Sequence, residues 1–274
     1  MTGASGLLGR VVAWQALGAG HEVHGSHQEH PLRDGAVVAH RLDVRDALAV
    51  ERLFARVAPE VVVHTAYRQS DWAVTALGAA HVAVASRRAG ARLVHVSSDV
   101  VFSGDAVTYA EDALPDPGSP YGAAKAAAET AVAAVDPEAV IARTSLIMGV
   151  RAAPMEVRVA DLLAGRAEGA LFTDDVRCPV HVEDLAAALL ELAASDAAGV
   201  RHVAGPDAVS RHEIGLLIAS RDSLDAGRLR TGSRRAAGIP GPLDVRLDSR
   251  WTQRRLATRL RGAREFLVDP GALR

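Results

Sequence analysis

The sequence predicts an α/β fold, a doubly wound parallel sheet carrying a smaller C-terminal lobe. Three observations predict it. Apolar runs of strand length are continuous, as in Val61-Val62-Val63 and Leu93-Val94-His95-Val96, which suits parallel strands covered on both faces. Helical segments alternate with these runs, as crossover connections require. Glycines at positions 3, 6 and 9 open the first helix.

The predicted strands are Glu22–Gly25, Val37–Leu42, Glu60–Thr65, Arg92–Ser97 and Val140–Ser145. Asp46 caps a helix over Ala47–Val57, with Pro59 just past its end. After Gly149 the pattern loosens: a helix at His181–Ala194, a strand at Val200–Val203, a helix from a Ser210 cap through Ala219, a Gly/Arg/Pro-rich stretch from Arg221 to Pro242, and a short helix at Arg250–Leu260. The expected division puts residues 1–148 and 180–204 in a dinucleotide-binding domain and 149–179 and 205–274 in a substrate-binding lobe.

Composition removes other classes. The net charge of -2 gives no basis for nucleic-acid binding. The single cysteine, Cys178, rules out an intrachain disulfide framework and fits a reducing cytoplasm. No apolar run approaches the ~18 residues of a membrane span, and no secretion signal is evident. Among 31 basic residues only Lys125 is lysine, and asparagine is absent. Such a coding bias makes Arg the default cation and singles out Lys125.

Thr2–Arg10 reads TGASGLLGR. Glycines at this spacing permit a tight turn, close backbone approach to a pyrophosphate and a helix packed on the sheet. Gly3, Ser5, Gly6, Leu7 and Leu8 are the expected dinucleotide contacts. Only Met1 and Thr2 precede Gly3, so the first strand is expected to be missing and the coding start to lie upstream. A cofactor without a 2′-phosphate meets an acid at the end of the second strand. Gly25-Ser26-His27 stands there, with Glu29 beyond and Arg33 nearby. Ser26 and His27 are therefore cofactor candidates, and NADP(H) is favoured over NAD(H). Asp43 is placed for the adenine amino group.

Tyr121-Gly-Ala-Ala-Lys125 opens an Ala-rich helix after a Pro-rich loop. A Tyr and a Lys four apart share one helical face. The ammonium is expected to favour the phenolate and lower a pKa that starts near ~10, which allows proton exchange with a substrate oxygen. Ser98, at the carboxyl end of the strand Arg92–Ser97, offers a second hydrogen bond to that oxygen.

With TGASGLLGR, Leu42-Asp43-Val44-Arg45-Asp46, His64-Thr65-Ala66-Tyr67, SSDVVFSG (Ser97–Gly104), YGAAK and FTDDVRCPVHVEDLA (Phe172–Ala186), the chain resembles the extended short-chain dehydrogenase/reductases. Within them it is most similar to the dTDP-4-dehydrorhamnose reductase family. The resemblance implies a Rossmann sheet and NAD(P)H-dependent reduction of the 4-keto group of a nucleotide-activated 6-deoxysugar. It implies Tyr121 as proton donor, Lys125 tuning it and holding the nicotinamide ribose, and Ser98 polarising the carbonyl. Val44, Thr65, Ala66, Tyr67 and Ser97, with Tyr121 and Lys125, join the implied cofactor contacts. Two positions depart from the family pattern: Val100 stands for a Tyr, and Thr75 for a helical Asn. The rival readings are a reductase or epimerase on another sugar nucleotide or small carbonyl, and a dinucleotide-binding regulatory subunit resembling that of methionine adenosyltransferase. A dehydratase would need an Asp-Glu pair, and Asp99 is followed by Val100. A homodimer is one assembly this reading allows.

Other features carry blander readings. His21, His24, His27 and His30 cannot converge simply on a metal across a strand and turn. The arginines between Arg228 and Arg264 read as a solvated face, with one or two available to a substrate diphosphate. Arg177 and Cys178 are expected along the substrate cleft, with Cys178 as packing. Asp184 is expected to act as a cap or on its helix dipole.

Overall fold

The computed structural model describes residues 1–32, 35–149, 151 and 153–268; Arg33 lies outside the described residues. In chain order the elements are α1 (Leu7–Gly18), β1 (His24–His27), β2 (Val38–Arg41), α2 (Ala47–Val57), β3 (Val61–His64), a π turn at Ala73–Leu77 leading into α3 (Gly78–Ala89), β4 (Arg92–Ser98), β5 (Thr108–Tyr109) and α4 (Pro120–Val135). They continue with β6 (Val140–Thr144), β7 (Ile147–Met148), α5 (Pro154–Leu163), β8 (Leu171–Phe172), β9 (Val176–Arg177), β10 (Val180–His181), α6 (Val182–Ala193) and β11 (Gly199–His202). The last are β12 (Val209–Ser210), α7 (Arg211–Arg221), β13 (Thr231–Gly232), β14 (Arg246–Leu247), α8 (Arg250–Gln253) and α9 (Ala263–Phe266).

Strands β11, β6, β4 and β3 pair in that order, all parallel, and β1 pairs in parallel with β2. Met1 and Thr2 join the two pieces. The Thr2 N–H donates to the Val63 carbonyl at 3.1 Å, and the Ser26 N–H donates to the Met1 carbonyl at 2.9 Å. No strand precedes α1 among the described residues; a two-residue stub, with Thr2 in a single parallel bridge to His64, lies between β1 and β3. It satisfies backbone groups of β1 and β3 that would otherwise be buried without partners.

Local signals set the helix ends. The Asp46 carboxylate accepts the Ala49 N–H, and Ala58 closes α2 in the left-handed region at φ 47°. His181 Nδ1 caps α6 by accepting the Glu183 N–H, and Ser210 caps α7 by accepting from Glu213. The helix expected at Arg250–Leu260 stops at Gln253. Side chains outcompete its backbone ladder: Glu191 accepts the Ala257 and Thr258 N–H groups at 2.6 and 2.9 Å, and Gln253 accepts that of Leu260 at 2.8 Å.

Helices cover both faces of the sheet. Leu8 and Val12 of α1 and Leu185 and Leu189 of α6 pack on Val63, Val94, Val96 and Val140. On the other face Val50, Phe54, Val82, Ala128 and Val132 pack on Val62, Leu93 and Ile141. A separate core of Met148, Met155, Val159, Ile214, Ile218 and Phe266 holds the later elements. Leu185 is fully buried between layers, so Leu185→Ala should cost about 2–5 kcal/mol, read as a lower urea midpoint with an unchanged slope.

Candidate active site

Strand β4 ends at Ser98, and a 3₁₀ turn, Asp99–Val101, follows at the carboxyl edge of the sheet. Helix α4 starts nearby, capped by Ser119, whose hydroxyl accepts the Gly122 N–H, with Pro120 in its first turn. Gly122 sits where a Cβ would lie 2.2 Å from the Val100 carbonyl oxygen. Glycine after Tyr121 thus lets α4 meet the turn that follows Ser98.

The structure brings Ser98, Tyr121, Lys125 and Tyr67 to this edge. The Tyr121 and Tyr67 rings lie 5.8 Å apart. Lys125 is buried, donates from Nζ to the Val96 carbonyl at 2.9 Å, and stands 5.1 Å from the centre of the Tyr67 ring. The Ser98 hydroxyl donates to Asp99 Oδ1 at 3.2 Å; the other Asp99 oxygen accepts from Ser145 at 2.6 Å. The expectation of a depressed Tyr121 pKa is corrected. Burial pushes the phenol up, with Tyr67 and Asp99 adding to it, while burial takes Lys125 down to about 8. Desolvation disfavours the phenolate, so Tyr121 holds its proton at neutral pH.

The glycine loop lies at the same edge. Gly3 takes φ +70°, and a Cβ there would sit 2.8 Å from the Ala66 amide nitrogen. The Thr65 hydroxyl donates to the Thr2 carbonyl at 2.8 Å, so Thr65 and Ala66 brace the loop through Ser5 and Gly6. Helix α1 begins with Leu7 after Gly6 and has no side-chain cap, which leaves first-turn N–H groups for an anion. The Leu8 side chain itself is core. At the end of β1, Ser26 is buried and the buried His27 Nδ1 has no hydrogen-bond partner. Asp43 is held by Arg45 at 2.7 Å and Gln28 at 3.0 Å, and Glu29 by Arg68 at 2.7 Å.

Several expected positions are reassigned. The Ser97 hydroxyl donates to buried Glu129, because strand alternation turns it opposite to Ser98. Val44 packs into the core, and its carbonyl meets His81 Nδ1 at 3.0 Å. Thr75 lies buried in the π turn and exchanges hydrogen bonds with the Arg68 backbone. Arg177 does not line a cleft; it is buried on the carbonyls of Pro242 and Leu243, beside Asp175 at 3.1 Å and Asp99 at 3.6 Å. Cys178 is buried too, its thiol pushed up to about 11 by desolvation. Asp184 is no cap: it pairs with Arg261 at 2.7 Å and anchors the C-terminal segment. His24 bonds Glu22 and His40. Arg246, Arg250, Arg259 and Arg264 are tied to nearby carboxylates.

Sequence reasoning missed Glu129 and Arg143, a buried ion pair 2.8 Å apart. The signal was present: a lone acid in an Ala-rich helix four residues past Lys125, and an Arg inside an apolar strand.

This fold and site define an NAD(P)-dependent oxidoreductase of the extended short-chain type. The chain belongs to the RmlD substrate-binding-domain family, which it matches over residues 1–269. It is 32% identical over 262 residues to dTDP-4-dehydrorhamnose reductase of Mycobacterium tuberculosis, covering 88% of this chain and 81% of that protein. Methionine adenosyltransferase 2 subunit beta of Xenopus laevis is 28% identical, covering 90% of this chain and 79% of that protein. Among solved structures, MoeE5 in complex with UDP-glucose and NAD is 26% identical with a TM-score of 0.81, covering 97% of this chain and 94% of that chain. Among the described residues no helix is long and apolar enough to cross a membrane.

Proposed function

We propose that the protein reduces the 4-keto group of a nucleotide-activated 6-deoxysugar and that NADPH is its preferred reductant. The observation that carries this reading is the half-buried Tyr121 one helical turn before buried Lys125, at the edge that also carries Ser98. A phenol that keeps its proton is the form a reductase needs, since the substrate oxygen gains that proton.

The residues fit a dinucleotide. Gly3, at φ +70°, lets the loop pack against the Ala66 backbone, α1 offers uncapped N–H groups, and His27 Nδ1 is an orphaned buried donor or acceptor. When bound, the cofactor supplies the hydride. Gly3, Ser5, Gly6, Leu7 and Leu8 would hold its pyrophosphate through the backbone, Ser26 and His27 its adenosine ribose, and Lys125 its nicotinamide ribose. Tyr121 Oη gives its proton to the carbonyl oxygen, and Ser98, after leaving Asp99, donates a second hydrogen bond there. The described residues of 149–179 and 205–268 form the lobe that closes on the sugar nucleotide.

Among the described residues no acid is free at the end of β1, because Arg68 pairs with Glu29. NADPH should therefore exceed NADH in kcat/KM by about 10–100-fold, as a charge-assisted contact to the 2′-phosphate warrants; equal use of both would remove the preference. The likeness to a methionine adenosyltransferase subunit favours a second reading, a dinucleotide-binding regulatory subunit. Cofactor binding without turnover of any 4-keto sugar nucleotide would select it.

A further inference from the structure

Helix α4 carries Tyr121, Lys125 and Glu129 at four-residue intervals, stacked on one face. The Glu129 carboxylate is buried and held by two side chains. Arg143 of β6 donates through Nη2 at 2.8 Å and through Nε at 3.0 and 3.1 Å, and the Ser97 hydroxyl of β4 donates to Oε1. Ser97 and Arg143 are register partners across β4 and β6. The clamp therefore pins α4 to both strands at one point, next to Val96, whose carbonyl receives the Lys125 ammonium.

The groups around Lys125 determine what the clamp does. Its charge lowers His64 of β3 and His95 of β4 in the sheet, the Tyr67 ring after β3 lies 5.1 Å from its Nζ, Tyr121 shares its helix face, and Glu129 acts on it from that helix. Arg143 lies beyond Glu129, and Asp99 beyond Tyr121. Burial keeps both imidazoles neutral, taking His64 to about 3 and His95 well below its usual value. Burial lowers Lys125 as well, and Glu129 is the carboxylate that opposes it.

We propose that Glu129 is a positioning residue for Lys125: the Ser97–Arg143 clamp fixes a carboxylate one helical turn below the lysine, where its charge keeps the ammonium on the Val96 carbonyl. The proposal rests on the reading of Lys125 as a working group of the site, but its test needs no turnover. Lys125 is the only lysine in the chain, so protein labelled with 13C,15N-lysine gives one lysine side-chain signal. Its pH titration reads ionisation directly.

The wild-type midpoint is expected near 8. In Glu129→Gln it should fall by about one unit or more. In Arg143→Gln, which keeps the carboxylate, it should stay at or above the wild-type value. The double variant Glu129→Gln/Arg143→Gln removes both charges of the ion pair together and so leaves no unpaired Arg143, and it decides the matter if Glu129→Gln does not fold; its midpoint should again lie below wild type. A midpoint unchanged on loss of the carboxylate, or falling equally in Arg143→Gln, overturns the proposal. If the wild type turns over a 4-keto sugar nucleotide, the alkaline limb of kcat/KM should move to lower pH with the midpoint, a displacement that a purely structural clamp would not produce. Absent turnover refutes the functional reading alone and leaves the titration decisive.

Discussion

Tyr121→Phe should cut kcat for keto-sugar reduction by about a hundred- to ten-thousand-fold, the range of a lost general acid. Cofactor affinity should change less than about threefold, since the glycine loop and Lys125 are untouched. The ring remains to pack 5.8 Å from Tyr67, so the thermal midpoint should stay close to wild type. A raised phenol pKa also sets the sign of the pH dependence. Reduction needs the phenol, and its pKa lies above the usual value, so kcat should not fall through neutral pH from loss of that proton. An alkaline limb beginning near 8 then reports Lys125, whose ammonium is lost there. Retention of half or more of the wild-type kcat in Tyr121→Phe would remove Tyr121 from its role.

Gly9→Val should weaken cofactor binding by about 10–100-fold, as an overpacking cost of roughly 1–3 kcal/mol converts to affinity. A Cβ at residue 9 would lie 2.2 Å from the Gly3 carbonyl oxygen and 2.9 Å from the Ala4 Cα. Both are backbone atoms, so relief comes only by moving the loop proposed to hold the pyrophosphate. Fluorescence titration with NADPH measures the loss. Wild-type affinity in Gly9→Val would show that the loop does not hold the cofactor.

Much of this architecture was legible in the residues. The continuous apolar runs marked β3, β4 and β6 because both faces of those strands are covered. Asp46 marked the start of α2 because its cap is local, three residues from the N–H it accepts. Features made by distant residues were not legible. Asp184 looked like a helix-start acid, but its partner Arg261 is 77 residues away. The helix expected at Arg250–Leu260 is cut short by Glu191, an acid on another helix. Ser97 was misplaced for another reason: side-chain alternation along β4 already separated it from Ser98. The charge at Lys125 was weighed from spacing alone, and spacing carries no information about desolvation, which dominates at Tyr121.

The central claim is hydride delivery to the sugar carbon with the proton from Tyr121. Turnover of a nucleotide-linked 4-keto-6-deoxysugar with NADPH stereospecifically deuterated at C4 of its nicotinamide tests it most directly, run with each of the two C4 epimers. With one epimer, the account predicts one deuterium at sugar C4 of the product, seen by NMR and as a one-mass-unit increase. Product without deuterium at C4 from both epimers, or no product while NADPH still binds, would contradict it.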